Sequence, residues 1–339
     1  MIPTVPSRIN SHPMNRQPDL LPLARLKPFR FFRPLLLCSL ITLMGCEKKS
    51  APNAAAPARG RLFAVSFQTM NNPFFVDLND GLKQVIEEHG DRLVTLDAQF
   101  SSLKQKNDLS DVIEQKPAAI FLNPVNWESV RGTLIAARNA KVPVIVVDAP
   151  VPDAELVLAQ VASDNVEAGR LAAQALGEAR PKARVAILQY SVNKACVDRV
   201  AGFTEVLGKR FPGVSILATQ DVKGTSEATR PVMRDLLERF PDLDAVFPIN
   251  DPGAIGCVSA IDAAGRSGKV LVVTVDGSRE AAQFILNGGI HSTSAQFPKK
   301  IGSLAAGAAY DHLAGKPVDK EIKVPVTLVT KANAAEFVK

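Results

Sequence analysis

From residue 61 onward the chain alternates between two periods. Short apolar runs rich in Val, Ile and Phe are each followed by a longer stretch whose apolar residues recur every three to four positions. The runs are LFAVSF (62–67), RLVTLDA (92–98), AAIFLN (118–123), PVIVVDA (143–149), LAQVAS (158–163), ARVAILQY (183–190), VSILATQ (214–220), DAVFPIN (244–250), VLVVTVDG (270–277) and IHSTSAQ (290–296). Helices are expected over 74–89, 102–115, 127–140, 165–179, 196–210, 226–239, 253–265, 279–287 and 299–314. Strands that are apolar on both faces and joined by helices belong in parallel sheets, because the crossover helices cover both faces. About ten strands exceed what one twisted open sheet comfortably holds. The pattern predicts an α/β fold of two doubly wound parallel-sheet lobes, with the changeover near Ala162–Asp164.

The segment before this pattern reads as targeting rather than fold. Arg25, Lys27, Arg30 and Arg33 precede an apolar run from Leu35 to Met44, which is too short to span a bilayer. The run closes on Leu43-Met44-Gly45-Cys46 followed by a polar tail, which resembles a bacterial lipobox, in which the Cys is lipidated. The expectation is a lipoprotein signal over 1–45 with Cys46 as the lipid-attachment residue. A plain secretory signal or a signal anchor is the other reading, and either Met1 or Met14 could be the start. Residues 46–60, rich in Ala and Pro, read as a flexible tether. The formal charge of +6 falls to about +1 without residues 1–45, which hold six basic residues and one acid. The basic balance is thus a targeting effect and gives no support for nucleic-acid binding. Of four Cys, Cys38 falls in the signal and Cys46 takes the lipid, which leaves Cys196 and Cys257. They could form one disulfide in an oxidising compartment or stay as two buried thiols.

In open α/β sheets ligands bind outside the carboxyl ends of the strands. Asn72, Phe74 and Phe75 follow the first run, and Asn123 and Trp127 follow the third. Asp148 ends the fourth, Asn250 and Asp251 end the eighth, Asp276 ends the ninth and Gln296 the tenth. Any one Asn or Asp in such a place could simply cap a helix, and Asp251 is read as a cap. Phe75 and Trp127 have packing as their alternative role. Recurrence across both halves favours a site. Amides supply donors and acceptors, carboxylates accept strongly, and aromatic faces cover the C–H side of a ring. That combination suits a small polyhydroxylated ligand.

The motifs MNNPFF, FLNPVN, VASDN, AVFPINDP, VDG and SAQFP resemble the periplasmic sugar-binding proteins of the ribose-binding type, which share their fold with the ligand domains of LacI-type repressors. The resemblance spans residues 61–339. It implies a type I periplasmic binding protein: two lobes joined by a hinge of three crossovers, near Ser163–Asp164, Gln296–Phe297 and Val324–Thr327. The lobes would comprise residues 61–163 plus 297–325 and residues 164–296 plus 326–339. It carries ligand contact over to Asn72, Phe74, Phe75, Asn123, Asp148, Asn250, Asp276 and Gln296. Gln68 joins this set, standing where a smaller Ser is usual. Two sugar-binding Arg of ribose binders are replaced by Ala149 and Val197, and an aromatic by Val275. Arg199 is two positions from Val197, which on a helix turns it to another face. Arg pairs strongly with sugar hydroxyls, so these departures point away from ribose held in the usual mode.

The resemblance implies a monomeric, membrane-anchored binding protein in the periplasm or on the outer cell surface, delivering a sugar or polyol to an ABC permease. Presentation to a sensor kinase or chemoreceptor is the alternative, and a nucleoside or other cyclic ligand a further one. No nucleotide-binding, nucleophile-elbow or zinc-protease motif occurs, and His89, His291 and His312 share no spacing. No enzyme activity, cofactor or metal is expected. A repressor would need an N-terminal helix-turn-helix where this chain has a signal and tether.

Overall fold

The computed structural model describes residues 60–338, all within one compact unit. The expected signal with Cys46, and the expected tether up to residue 59, lie outside the described residues. The first half runs β1 (Leu62–Phe67), α1 (Pro73–Glu88), β2 (Arg92–Asp97), α2 (Ser102–Glu114), β3 (Ala119–Leu122), α3 (Arg131–Asn139), β4 (Val144–Val147) and β5 (Ala159–Ser163). Then follow α4 (Asn165–Ala179), β6 (Arg184–Gln189), α5 (Lys194–Arg210), β7 (Ser215–Asp221), α6 (Ser226–Arg239), β8 (Ala245–Pro248), α7 (Asp251–Ala263), β9 (Leu271–Asp276), α8 (Arg279–Asn287) and β10 (Ser292–Ala295). The chain closes with α9 (Pro298–Leu313), β11 (Glu321–Val324) and β12 (Thr327–Val329).

Two six-stranded sheets result, ordered β11-β5-β4-β3-β1-β2 and β12-β10-β9-β8-β6-β7. Every pairing is parallel except that of β12 with β10. The orders are the same topology written twice, so β1, β3 and β4 of one sheet correspond to β6, β8 and β9 of the other. This is the two-lobed α/β architecture of a type I periplasmic binding protein. The chain passes from the first sheet to the second between β5 and β6, returns with α9, which packs on α1 and β5, and crosses again between β11 and β12.

Each sheet buries apolar side chains on both faces. Phe63, Phe67, Phe121 and Ile145 pack under α1 and α9, while Ile120, Leu122 and Val146 meet Leu109 and Leu134 of α2 and α3. In the second lobe Ile187, Phe247 and Val273 face Phe203 and Leu176, and Val246 and Val272 face Met233 and Ile261. Double-sided burial is the reason these strands read as continuous apolar runs. Helices α4 and α5 cross so closely that a Cβ on Gly169 would lie 1.9 Å from the Arg199 carbonyl oxygen.

Two expectations change. Helix α3 starts at Arg131, not residue 127, because the Asn126 side chain accepts from the backbone N–H groups of Glu128 and Ser129 and fixes a turn there. Strands β11 and β12 are additional; at three or four residues of mixed polarity they carry little periodic signal. Cys196 and Cys257 are free and buried, on α5 and α7.

Candidate ligand-binding site

The carboxyl ends of both sheets meet at a cleft of about 1290 Å³. Gln68, Asn72, Phe74 and Phe75 line it from the first lobe, and Asn250, Asp276 and Gln296 from the second. Asn72 starts α1 as its N-cap, its Oδ1 accepting from Phe74 N at 3.0 Å. Pro73 sits at the first helical position, where its missing N–H costs nothing. This cap and proline turn the chain so that Phe74 and Phe75 stand edge to face, 5.3 Å apart, with Phe75 also against Phe67. Phe75 therefore serves the core and the cleft wall together.

Asn123 and Asp148 are not cleft-lining residues; they lie buried beside it. Asn123 accepts from Gln68 N through Oδ1 (3.1 Å) and donates through Nδ2 to Asp148 Oδ2 (2.9 Å). Buried Gln105 supports them by donating to the Asn123 carbonyl and to Ser66 Oγ while accepting from Val125 N. Asp148 retains 4% exposure, and its φ of 66° places it in the left-handed region. Burial pushes its carboxyl up to about 7, opposed by the positive charge of Arg199 and reinforced by the negative charge of Asp276.

In the second lobe Asn250 caps α7, accepting from Gly253 N and donating to the Gly224 carbonyl. Asp276, 8% exposed, accepts from Gln296 Nε2 at 2.8 Å and faces Arg199 Nη1 at 3.5 Å. Asp251 is not the cap of its helix. It occupies the first helical position, fully buried, and accepts from Thr293 Oγ1 (2.8 Å) and Ser278 N (2.7 Å). Burial raises the carboxyls of both Asp251 and Asp276. Arg199 does not replace the missing sugar-binding Arg: it is buried, donates to Asn165 Oδ1 (2.9 Å) and the Ile249 carbonyl (2.8 Å), and is absent from the cleft lining. Its place is as counter-charge to Asp276.

Trp127 lies apart from this group. Its Nε1–H donates to the Ser191 carbonyl and its backbone N–H to the Val192 carbonyl, joining the loop after β3 to the loop after β6. Phe100, after β2, and Tyr190, after β6, make a second contact between the halves, 6.4 Å apart and edge to face. Both line the cleft with Cys196 and Gly224. None of these four was singled out as a ligand contact in the sequence. Phe100 and Tyr190 also follow strand ends, so the rule that located Asn123 and Asp148 reaches them; Gly224 and Cys196 carry no such signal. Burial pushes the Cys196 thiol up to about 12, which keeps it an unreactive apolar wall at neutral pH.

Polar groups converging from two lobes on a cleft between the carboxyl ends of their sheets define a solute-binding protein. Residues 63–317 match the family model of the periplasmic binding protein domain, and the chain belongs to that family. It is a binding protein and not an enzyme. The ribose import binding protein of Bacillus subtilis is 33% identical over 88% of this chain and 97% of its own length. The ribose import binding protein of Escherichia coli is 32% identical over 86% of this chain and 98% of its own length. Among solved structures, the arabinose-transporter binding protein of Shewanella sp. ANA-3, bound to L-arabinofuranose, superposes with TM-score 0.76 at 28% identity over 81% of this chain and 93% of that one. A binding protein of Agrobacterium vitis bound to tagatopyranose gives 0.78 at 26% identity over 82% of this chain and 99% of that one.

Proposed function

We propose that this protein is an exported lipoprotein that binds a small polyhydroxylated solute, a sugar or polyol, between its lobes and delivers it to an ABC permease. The observation that carries the reading is the cleft itself: Asn72, Asn250, Asp276 and Gln296 from two lobes converge on one volume walled by Phe74 and Phe75. The sugar-importing relatives support the ligand class and the permease. Of the ten site residues, Gln68, Asn72, Phe74, Phe75, Asn250, Asp276 and Gln296 contact the ligand, Asn123 and Asp148 back that wall from the interior, and Trp127 joins the loops after β3 and β6. The lobes, residues 61–163 plus 297–325 and residues 164–296 plus 326–339, move about the three crossovers, and the monomer is anchored through Cys46. Ribose is not held in its usual mode, because Ala149, Val197 and Val275 stand where its anchors would be, and Ala149 and Val275 are fully buried.

A thermal-shift screen against pentoses, hexoses, polyols and nucleosides tests this. A solute at a hundredfold over its dissociation constant adds about 2.7 kcal/mol, a rise of several degrees. Sugars or polyols are expected to give that rise; a response to nucleosides alone refutes the ligand class. Fatty-acid labelling that survives Cys46→Ala refutes the anchor.

A further inference from the structure

On the reading that the cleft takes a polyhydroxylated solute, its lining receives hydroxyls in one part and not in another. The receiving part is built of amides. Asn72 spends Oδ1 on Phe74 N, and its Nδ2 meets no partner among the described residues. The Gln68 side chain is unpartnered among those residues, with Oε1 buried. Gln296 donates to Asp276, which leaves its buried Oε1 without a donor. Gln68, Asn72 and Gln296 all line the cleft, beside the Asp276 carboxylate. Together they offer hydroxyl groups both donors and acceptors.

An apolar patch adjoins them. Phe100 donates its backbone N–H to the Gln68 carbonyl at 2.7 Å, and its ring packs against the buried cluster that holds Tyr190, Cys196 and Ile249. Phe100, Tyr190, Cys196 and Ile249 all line the cleft, with Cys196 and Ile249 at 7% and 2% exposure. The polar groups next to the patch are spent. Asn250 accepts from Gly253 N and donates to the Gly224 carbonyl, and the Ile249 carbonyl accepts from Arg199. Within the patch the Tyr190 hydroxyl is the one side-chain oxygen, and the Cys196 thiol is a weak donor. A solute hydroxyl seated against Cys196 and Ile249 would give up water without an equal partner, whereas a methyl group there gains apolar contact.

We propose that the solute is a deoxy sugar or deoxy polyol whose methyl group seats against Cys196 and Ile249, while its hydroxyls meet Gln68, Asn72, Gln296 and Asp276. Cys196 is then a specificity residue. Its sulfur is large and polarizable enough to pack on a methyl, and its S–H is too weak to stand in for the partner a hydroxyl needs. Phe100 follows a strand of the first sheet, and Tyr190, Cys196 and Ile249 belong to the half built on the second. The methyl group is therefore enclosed where the two halves meet.

Titration calorimetry of the full chain tests this with pairs that differ only in methyl for hydroxymethyl: L-fucose and L-galactose, D-fucose and D-galactose, L-rhamnose and L-mannose, quinovose and glucose, 1-deoxymannitol and mannitol. In the pair that binds most tightly, the methyl member is expected to bind about tenfold tighter, equal to about 1.4 kcal/mol. Cys196→Ser places a full hydrogen-bonding group in the patch and should bring the ratio within that pair close to one. An unchanged ratio in this variant overturns the role of Cys196; if the variant does not fold, the ratio in the parent still decides the methyl. A hydroxymethyl member that binds as tightly as its methyl partner overturns the deoxy solute and leaves the sugar reading standing. Silence from every pair also overturns the deoxy solute, and the thermal-shift response to pentoses and other polyols then decides the sugar reading separately.

Discussion

Asp148 and Asp276 stand at equivalent places in the two sheets, directly after β4 and at the end of β9, and both on left-handed backbone, with φ of 66° and 138°. A non-glycine residue in such a region carries strain of order 1–3 kcal/mol. The same arrangement arises in each lobe, and each carboxylate is gripped by a neighbouring amide, Asn123 for one and Gln296 for the other. The strand end must turn sharply to present a side chain at the sheet edge, and the amides hold it there.

Stability of the ligand-free protein should fall as pH rises from 5 to 8. Asp148, Asp251 and Asp276 have folded pKa values above the ordinary 3.8, so the unfolded chain ionises first and binds fewer protons across this window. Each unit of such a shift is worth about 1.4 kcal/mol, or roughly 2–4 °C for lobes of this size. Half-buried His291, whose pKa is lowered by burial, acts in the opposite sense toward acid. Melting curves across the range check the sign, and Asp148→Asn should flatten the slope.

Asn250→Ala should weaken both fold and binding. The side chain caps α7 and ties the Gly224 loop while standing in the cleft wall. Loss of a cap costs about 1 kcal/mol, and the released loop should lower ligand affinity about tenfold. Urea unfolding and titration calorimetry separate the two losses.

Gly169→Ala should destabilise the second lobe by roughly 2–4 kcal/mol. The added carbon would collide with backbone, the Arg199 carbonyl at 1.9 Å, so no side-chain rotation relieves it. Separation of α4 from α5 would also move Arg199 off Asp276, so the melting point and the affinity should fall together.

Trp127→Phe keeps the ring and removes the N–H that reaches the Ser191 carbonyl. Because this bond already joins the two loops in this structure, its loss should cost the ligand-free protein about 0.5–1.5 kcal/mol, the worth of one neutral hydrogen bond, read as a lower melting point. Trp127 is the single Trp of the chain, so its emission in the parent should shift when ligand binds.

The ten apolar runs and nine helical stretches were legible because strands buried on both faces leave an uninterrupted hydrophobic signal. Helix α3 was placed too early because the Asn126 side-chain turn sits inside a stretch of suitable period. Strands β11 and β12 escaped because a sheet edge needs few apolar residues. At the site, the Asn and Asp at the strand ends could be named from topology alone. What could not be read was the division of labour among them. Asn123 and Asp148 are buried beside the cleft, Asn250 is both cap and wall, and Arg199 reaches Asp276 through the interior of its lobe. Such roles depend on which partner each polar atom meets, and spacing along the chain does not encode that.

The late position of α9, β11 and β12 reaches beyond the resting fold. The first sheet lacks its edge strand β11 until residue 324 has been added, and the second lacks β12 until residue 329. A chain emerging from the ribosome therefore carries two unfinished halves almost to the end of its synthesis, and both mature together.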